Sequence, residues 1–415
     1  MFFFFFPIAA IALIAAHYYF YRRLVRPLSG RGQRGAGAAI LLTLLFFVAF
    51  GNTISRILPG TAALYLQRAG YVWMPIALYC LFALLAIDLA IFVAWLVERV
   101  RRRKALRLPP SVAPSSAEEV LAPISAEVPE VEATFRPERR RFLKNSGLIG
   151  LGLALPTSGW GFWSAQHCQI VRRPIHLEGL SERLSGLSIA LLSDIHVGGW
   201  IGRDFVQDLV DKVNALAPDA VFIAGDLVDG KVHALSSSVA PLANLRSRLG
   251  TFFVVGNHEI YSGVDPWVAF LSSLGIRVLR NECADLDGLD LLGVDDWSMA
   301  RHGISPGYDL VGALAQRRHG DRPSILLTHQ PRGFRDAVGQ GVALQLSGHT
   351  HGGQMFPFHP FAWHANDGFL AGLYRHGKGQ LYVTRGCGYW GPPARVGAPP
   401  EITHIILLPG AGATR

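Results

Sequence analysis

The chain has 415 residues, half of them hydrophobic, and a mean hydropathy of +0.28, which is high for a soluble protein and leaves room for a membrane region beside one catalytic domain. Its net charge of +9 is concentrated on the N-terminal side, because residues 1–144 contain 18 Lys and Arg against 8 Asp and Glu, whereas the remainder contains 21 against 22. The basic excess therefore flanks apolar segments, and the charge gives no indication of nucleic-acid binding.

Residues 1–107 predict a membrane region with three transmembrane helices. The apolar runs 2–20, 38–58 and 72–96 are long enough, or nearly so, to cross a hydrocarbon core about 30 Å thick. Arginine clusters follow the first and third runs, which places those two loops in the cytoplasm and the N-terminus outside. Asp88 lies inside the third run, where a carboxylate is costly, so we expect it to pair within the helix bundle.

A linker and an export-like segment are predicted next. Residues 108–137 are rich in Pro, Ser, Ala and Glu, which is typical of a disordered cytoplasmic linker. Residues 138–165 contain an arginine triplet and then a Gly-rich apolar stretch at 148–163, and they resemble a twin-arginine export signal in all but its first position. The alternative is a basic patch beside a fourth membrane helix. Under either interpretation the following domain, residues 166–410, lies outside the cytoplasm.

From residue 187 onward, short β-rich runs alternate with helical ones, which is typical of a layered α/β domain. Five apolar runs of strand length cover residues 187–192, 220–224, 251–255, 324–327 and 342–346. Between the first two runs, apolar side chains recur at helical spacing and predict an amphipathic helix.

Each of the five runs is followed by side chains of the kinds that bind metals. In chain order these are Asp194 and His196, Asp226 and Asp229, Asn257 and His258, His329, and His349 and His351. One such block alone is more often a turn or a solvated loop, but five in sequence are very hard to obtain by chance. Because ligands bind at the carboxyl ends of the strands in open α/β sheets, we expect these side chains to converge there.

The five blocks resemble the signature motifs of the calcineurin-like metallophosphoesterases over residues 187–408. The membrane anchor, the twin-arginine-like segment and the sequence Gly-His-Thr-His-Gly-Gly-Gln at 348–354 are similar to those of a bacterial membrane-associated branch. The resemblance implies a four-layer α/β/β/α sandwich preceded by an α-helical membrane region. Together with the charge pattern, it predicts a multi-pass protein of the bacterial inner membrane with an extracytoplasmic catalytic domain.

The chemistry of the site also follows from its residue types. Two divalent cations about 3.5 to 4 Å apart can clamp phosphoryl oxygens and lower the pKa of bound water. Carboxylate, imidazole and amide ligands suit manganese, iron or zinc. By the resemblance, one ion would take Asp194, His196 and His351, and the other would take Asn257, His329 and His349. Asp226 would bridge the two ions.

Two further residues are predicted to act on the substrate. By the family's pattern, His258 lies beside the scissile bond, where it could protonate the leaving oxygen. Asp229 would hold that imidazole in orientation, although a turn residue before Gly230 is the alternative.

The predicted function is metal-dependent hydrolysis of a phosphodiester or pyrophosphate, membrane- or lipid-linked, by a metal-bridging hydroxide. One alternative is a phosphomonoesterase for soluble phosphates, and another is a non-enzymatic membrane protein that binds metal and a partner. The expected partners are the lipid bilayer and a phosphorylated substrate, which is lipid-linked in the first of these hypotheses.

An aromatic stretch follows the last block and bears on the substrate. Its members are Met355, Phe356, Phe358, Phe361, Trp363 and Phe369. They either cap the core of the second sheet or form an apolar lip beside the metals that holds an acyl chain or touches the bilayer.

Overall fold

The computed structural model describes residues 2–57, 61–105 and 135–410, and the chain divides into two compact units, Met1–Ser158 and Gly159–Arg415. The linker predicted at 108–137 lies outside the described residues as far as 134, and its last three residues already belong to a helix.

The first unit is helical. It contains α1 (Phe2–Phe20), a π-helical turn (Tyr21–Val25), α2 (Arg31–Ile57), α3 (Thr61–Ala105) and most of α4 (Phe135–Gln166). Among the described residues, two helices are long and apolar enough to cross a membrane, over Arg31–Gly51 and Leu64–Arg103. The crossings expected at 2–20 and 148–163 remain predictions.

Asp88 of α3 has the partners that its apolar surroundings require. Its carboxylate lies 3.0 Å from Nη1 of Arg23, and the hydroxyl of Tyr19 donates a hydrogen bond to it at 2.5 Å. A charged carboxylate in an apolar segment is stabilised only by such contacts, and the expected pairing is therefore confirmed.

The second unit is built on two six-stranded sheets. In chain order its strands are β1 (Gln169–Leu177), β2 (Ser188–Leu192), β3 (Ala220–Ile223), β4 (Thr251–Phe253), β5 (Arg277–Val278), β6 (Glu282–Asp285), β7 (Asp290–Gly293), β8 (Ser324–Leu327), β9 (Leu344–Ser347), β10 (Gly372–His376), β11 (Gly379–Val383) and β12 (Glu401–Pro409). The first sheet has the order β1-β12-β2-β3-β4-β5 and the second has the order β10-β11-β9-β8-β7-β6. Strands β2 to β5 run parallel to one another, as do β11, β9, β8 and β7.

Helices pack on the outer faces of the two sheets. They are α5 (Arg203–Ala215), α6 (Val232–Val239), α7 (Asn257–Ser262), α8 (Val264–Ser273), α9 (Leu310–Ala315), α10 (Phe334–Gly339) and α11 (His359–Ala365), with 3₁₀ turns at Glu182–Leu184, Ala240–Asn244, Ala300–His302 and His351–Gly353. Helix α11 is the exception, because it packs on the turn His351–Gly353. Helix α5 is the amphipathic helix expected between the first two strands.

Alternation along the strands separates the buried side chains into layers. Ile189 and Leu191 of β2 face the second sheet and share a core with Ile325, whereas Ala190 and Leu192 pack with the helices of the first sheet. A further cluster lies between the second sheet and helices α9 and α10. Burying each Leu, Ile or Val stabilises the fold by about 1.5 to 3 kcal/mol. The order helix, sheet, sheet, helix confirms the four-layer fold.

Candidate metal centre

The side chains predicted as metal ligands all follow strands whose carboxyl ends lie at one edge of the two sheets. Asp194 and His196 follow β2, Asp226 follows β3, and Asn257 opens α7 after β4. His329 follows β8, and the loop after β9 carries His349 and His351. Because each set of strands is parallel, its carboxyl ends meet, and both sheets contribute to one site.

A first group of donor atoms comes from Asp194, His196 and His351. These three side chains are buried and place ligand atoms within 4.8 Å of one another. Nε2 of His351 lies 3.1 Å from Nε2 of His196 and 3.5 Å from Oδ1 of Asp194. Facing imidazole nitrogens repel unless a proton or a cation lies between them, so the arrangement fits a shared cation.

A second group surrounds His329. Its Nε2 lies 3.1 Å from Oδ1 of Asn257, 3.1 Å from Nδ1 of His349 and 3.1 Å from Oδ2 of Asp226. The same Asp226 oxygen lies 3.9 Å from Nε2 of His196 in the first group. Asp226 therefore stands between the two groups, at the position expected of a bridging carboxylate.

Backbone strain is concentrated in these ligand-bearing turns. Positive φ angles are found at Asp194 (52°), His196 (55°), Asp226 (51°), His349 (72°) and His351 (51°). Left-handed conformations of residues other than glycine cost about 1 to 3 kcal/mol each and persist where the surrounding structure enforces them, mostly at functional sites. The strain turns successive side chains of each loop toward the same point.

Two glycines of the motifs allow the backbone to approach the carboxylates. A Cβ atom on Gly348 would lie 2.3 Å from Oδ2 of Asp194, and one on Gly256 would lie 2.3 Å from Oδ1 of Asp226. Because the backbone lies this close, the amides that follow the two glycines reach the carboxylates. His349 N donates a hydrogen bond to Asp194 at 2.9 Å, and His258 N donates one to Asp226 at 2.8 Å. Each carboxylate is thereby fixed in orientation.

Asp229 orients two imidazoles. Its Oδ1 lies 2.5 Å from Nδ1 of His258 and 3.0 Å from Nδ1 of His196. Burial raises the pKa of Asp229, but the charges and hydrogen bonds of the two histidines lower it further, so the net shift is well below the ordinary value. The structure thus favours an orienting role for Asp229 over the alternative of a turn residue before Gly230. Asp229 orients the ring of His258 and also that of His196, which is a candidate metal ligand.

The imidazole of His258 faces the donor groups. Its Nε2 lies 3.9 Å from Oδ2 of Asp226. Burial lowers the pKa of His258, but the hydrogen bond to Asp229 and the charge of Asp226 raise it to about 9. His258 also forms a three-donor group with His196 and Asp226, whose ligand atoms lie within 4.8 Å of one another.

Glu259 had no role in the sequence analysis, and the structure gives it one. The side chain is 1% exposed and accepts hydrogen bonds from the backbone amides of Gly256, Asp226, Leu227 and Val228, at 2.7, 3.0, 2.7 and 3.2 Å. It therefore ties the loop after β3 to the start of α7. Burial and the charge of Asp226 raise the pKa of Glu259 to about 7, although hydrogen bonds from the backbone amides favour the carboxylate and lower the pKa. An acid in the first turn of a helix was its only sequence signal.

Arg395 was also missed. Its guanidinium is fully buried, contacts the carbonyl oxygen of His351 at 2.5 Å and Nδ1 of the same ring at 3.0 Å, and donates to the carbonyl of Gly388 at 3.0 Å. Burial and the charge of Arg395 hold the pKa of His351 well below its ordinary value. A lowered pKa favours the neutral imidazole, which is the form that binds metal ions.

An exposed aromatic rim flanks His258. The rings of Tyr261 and Trp390 have their centroids 5.6 and 6.0 Å from that of His258, and the two side chains are 57% and 58% exposed. Gln354 fixes the backbone of Trp390, because it accepts from Trp390 N at 3.1 Å and donates to Trp390 O at 2.9 Å. Sequence reasoning left Gln354 without a role and did not consider either aromatic residue.

The comparisons with known proteins agree with this geometry. A family model described as "Calcineurin-like phosphoesterase" matches residues 187–353. An uncharacterized metallophosphoesterase of Helicobacter pylori is 43% identical over 280 residues, which cover 66% of this chain and 74% of that protein. A "transmembrane protein with metallophosphoesterase domain" from Danio rerio is 41% identical over 260 residues, which cover 59% of this chain and 58% of that protein.

Similarity to solved structures is more distant. A putative 5'-nucleotidase from Staphylococcus aureus is 13% identical with a TM-score of 0.33, and the match covers 56% of each chain. A dimetal phosphatase from Danio rerio is 15% identical with a TM-score of 0.32, and the match covers 49% of this chain and 88% of that one.

Proposed function

Because the chain belongs to the calcineurin-like metallophosphoesterase family, we propose that it hydrolyses a phosphodiester or pyrophosphate with two divalent metal ions. The observation that supports this most directly is the position of Asp226. Its Oδ2 lies 3.1 Å from His329 of one donor group and 3.9 Å from His196 of the other. Manganese, iron or zinc suits this mixture of carboxylate, imidazole and amide donors.

The metal ions would supply positive charge for the phosphoryl oxygens and activate a water molecule for attack. The protein's own residues fix the geometry in advance. Asp194 and Asp226 are held by backbone amides, and Asp229 fixes the ring of His196. Such preorganised groups need no rearrangement as charge develops on the phosphoryl group.

His258 would serve as the general acid. Its proton on Nε2 moves to the leaving oxygen as the bond from phosphorus to that oxygen breaks. Asp229 accepts the hydrogen bond from Nδ1 and stabilises the imidazolium before the transfer. Tyr261 and Trp390 flank this imidazole, so the leaving group would contact the two exposed rings.

The substrate would be linked to the membrane. The chain contains two helices that are long and apolar enough to cross a bilayer, and a relative from Danio rerio is named a transmembrane protein. A catalytic unit attached to such helices meets lipid-linked phosphates at a high local concentration. We also propose that this unit lies outside the cytoplasm, because the arginine clusters at residues 22–34 and 99–107 belong on the cytoplasmic side.

A substrate panel tests the proposal. The detergent-solubilised full chain, supplied with manganese, would be assayed against lipid pyrophosphates, phosphodiesters and phosphomonoesters. We expect turnover of the lipid pyrophosphates or diesters to exceed that of the monoesters, with no activity in Asp226→Asn. A preference for soluble monoesters would contradict the substrate class, and the absence of hydrolysis from every metal-loaded sample would contradict the enzymatic function.

A further inference from the structure

Four aromatic side chains near the metal centre point into solvent. Phe356, Phe358, Phe361 and Trp363 are 61%, 41%, 72% and 52% exposed, and we call them the aromatic patch. Phe358 and Phe361 have their ring centroids 6.5 Å apart, whereas Trp363 lies on another face of α11, where it lines a cavity. Phe369, from the same stretch, packs instead against Phe334 in a small core cluster beside the second sheet. Met355 is also buried, at 7% exposed. The core-capping alternative therefore holds for Phe369 and is wrong for the patch.

The patch is fixed to the loop that carries the candidate ligand His351. A Cβ atom on Gly353 would lie 2.8 Å from Cα of His359, so the start of α11 rests directly on that loop. Phe356 N also donates a hydrogen bond to the carbonyl of Val396 at 2.9 Å. The exposed rings are thus held outward on a packed base next to the metal centre, and an exposed apolar surface of this kind marks an interaction site.

Basic side chains accompany the patch. A cavity of about 610 Å³ is lined by Trp363 of the patch together with Arg335, His364, Arg375 and His376. Asp367 is the one acid in this lining, and its carboxylate lies 3.7 Å from Nε of Arg332. Aromatic side chains beside arginines match a bilayer with anionic headgroups, since the rings enter the interface and the guanidinium groups attract phosphate.

The patch also lies on the side where the chain enters the second unit. A Cβ atom on Gly161, near the end of α4, would lie 2.7 Å from Cγ2 of Val396, the residue that binds Phe356. Trp160 and Trp163 in the same turns of α4 are 60% and 50% exposed. Two more exposed aromatic side chains therefore lie in the helix turn that contacts Val396, the residue bound by Phe356.

We infer that the aromatic patch, with Arg335 and Arg375 beside it, docks the catalytic unit onto the anionic headgroup region of a lipid bilayer. The inference deepens the proposed function and rests on it, because docking would hold the metal centre at the surface where a lipid-linked phosphate is found. The alternative is that a second copy of the chain, or another protein, covers the patch, and the experiment below distinguishes this from contact with the bilayer.

The test places a fluorophore on the patch of the full chain in lipid nanodiscs. Phe361→Cys carries an environment-sensitive label, and Val311→Cys is the matched control, because Val311 is 67% exposed on α9 near the opposite edge of the second sheet. Both variants also carry Cys283→Ser, which removes a partly exposed thiol. In discs that contain phosphatidylglycerol, we expect the label at 361 to emit at shorter wavelength and to be several-fold less accessible to aqueous iodide than the label at 311.

Three outcomes overturn the inference. The first is equal quenching by iodide of the labels at 361 and 311. The second is protection of the label at 361 that is as strong in phosphatidylcholine discs as in discs that contain phosphatidylglycerol. The third is cross-linking between two chains through the unlabelled thiol of the Phe361→Cys variant. Replacing Arg335 and Arg375 with Glu should remove the difference between the two lipids. Hydrolysis of a small soluble ester is measured in the same samples. A protected label without hydrolysis would contradict the proposed function alone, whereas hydrolysis with an unprotected label would contradict docking alone.

Discussion

Replacing His258 with alanine should slow hydrolysis far more than it lowers the metal content. Nε2 of His258 faces Asp226 at 3.9 Å, while Nδ1 is bound to Asp229 and therefore not available to the substrate. Loss of a general acid costs about 10² to 10⁴ in turnover, or about 2.7 to 5.4 kcal/mol in the activation free energy. The seven ligands assigned to the two ions remain in place, so both ions should still bind.

The structure also supports a competing role that the same variant can distinguish. His196, Asp226 and His258 place donor atoms within 4.8 Å of one another, which would suit a ligand role for His258. Removal of a metal ligand lowers the affinity for the metal ion. Removal of a general acid lowers the rate of hydrolysis only for substrates whose leaving oxygen needs a proton.

The assay therefore combines metal analysis by mass spectrometry with turnover of aryl phosphodiesters whose leaving groups differ in acidity. In His258→Ala we expect two bound ions and a rate loss that shrinks as the leaving group becomes more acidic. The control is His319→Ala, in which an exposed histidine outside the site is removed and neither quantity should change. Loss of an ion, or a rate loss that is equal for every leaving group, would refute the division of roles.

Three other variants or fusions test separate parts of the account. Asp226→Asn should abolish hydrolysis and reduce the metal content to one ion or none, because a neutral amide bridges two cations poorly; two bound ions with normal turnover would rule out the bridging role. Glu259→Gln should lower the thermal unfolding temperature in detergent, because the new amide nitrogen would face the backbone N–H groups of Asp226 and Gly256. Each backbone donor left unpaired costs about 1 to 3 kcal/mol. The control is Glu178→Gln on the surface, which should change the unfolding temperature little. Reporters fused after Lys144 and after His176 should be active in the cytoplasm and outside it respectively, and cytoplasmic activity of both would refute the external assignment while leaving the metal chemistry untouched.

The sequence by itself determined the strands and the residues that meet at their ends. Short apolar runs bounded by polar residues predict buried parallel strands, and parallel strands necessarily bring their carboxyl ends together. For this reason the meeting of Asp194 with Asp226 at the edge of the first sheet, and of His329 with His351 at the edge of the second, could be predicted without knowing any distance. The packing of the two sheets then places Asp226 beside His329 and Asp194 beside His351.

The tertiary structure alone decided which other side chains support the site. Glu259 binds amides 31 to 33 residues away, Arg395 contacts His351 across 44 residues, and Trp390 lies beside His258 from a distant loop. None of these contacts follows a helical or strand period, so no local sequence pattern could predict them. The exposure of Phe361 was undecided for the same reason, because an aromatic residue in an irregular segment suits a core or a surface equally well until the packing around it is known.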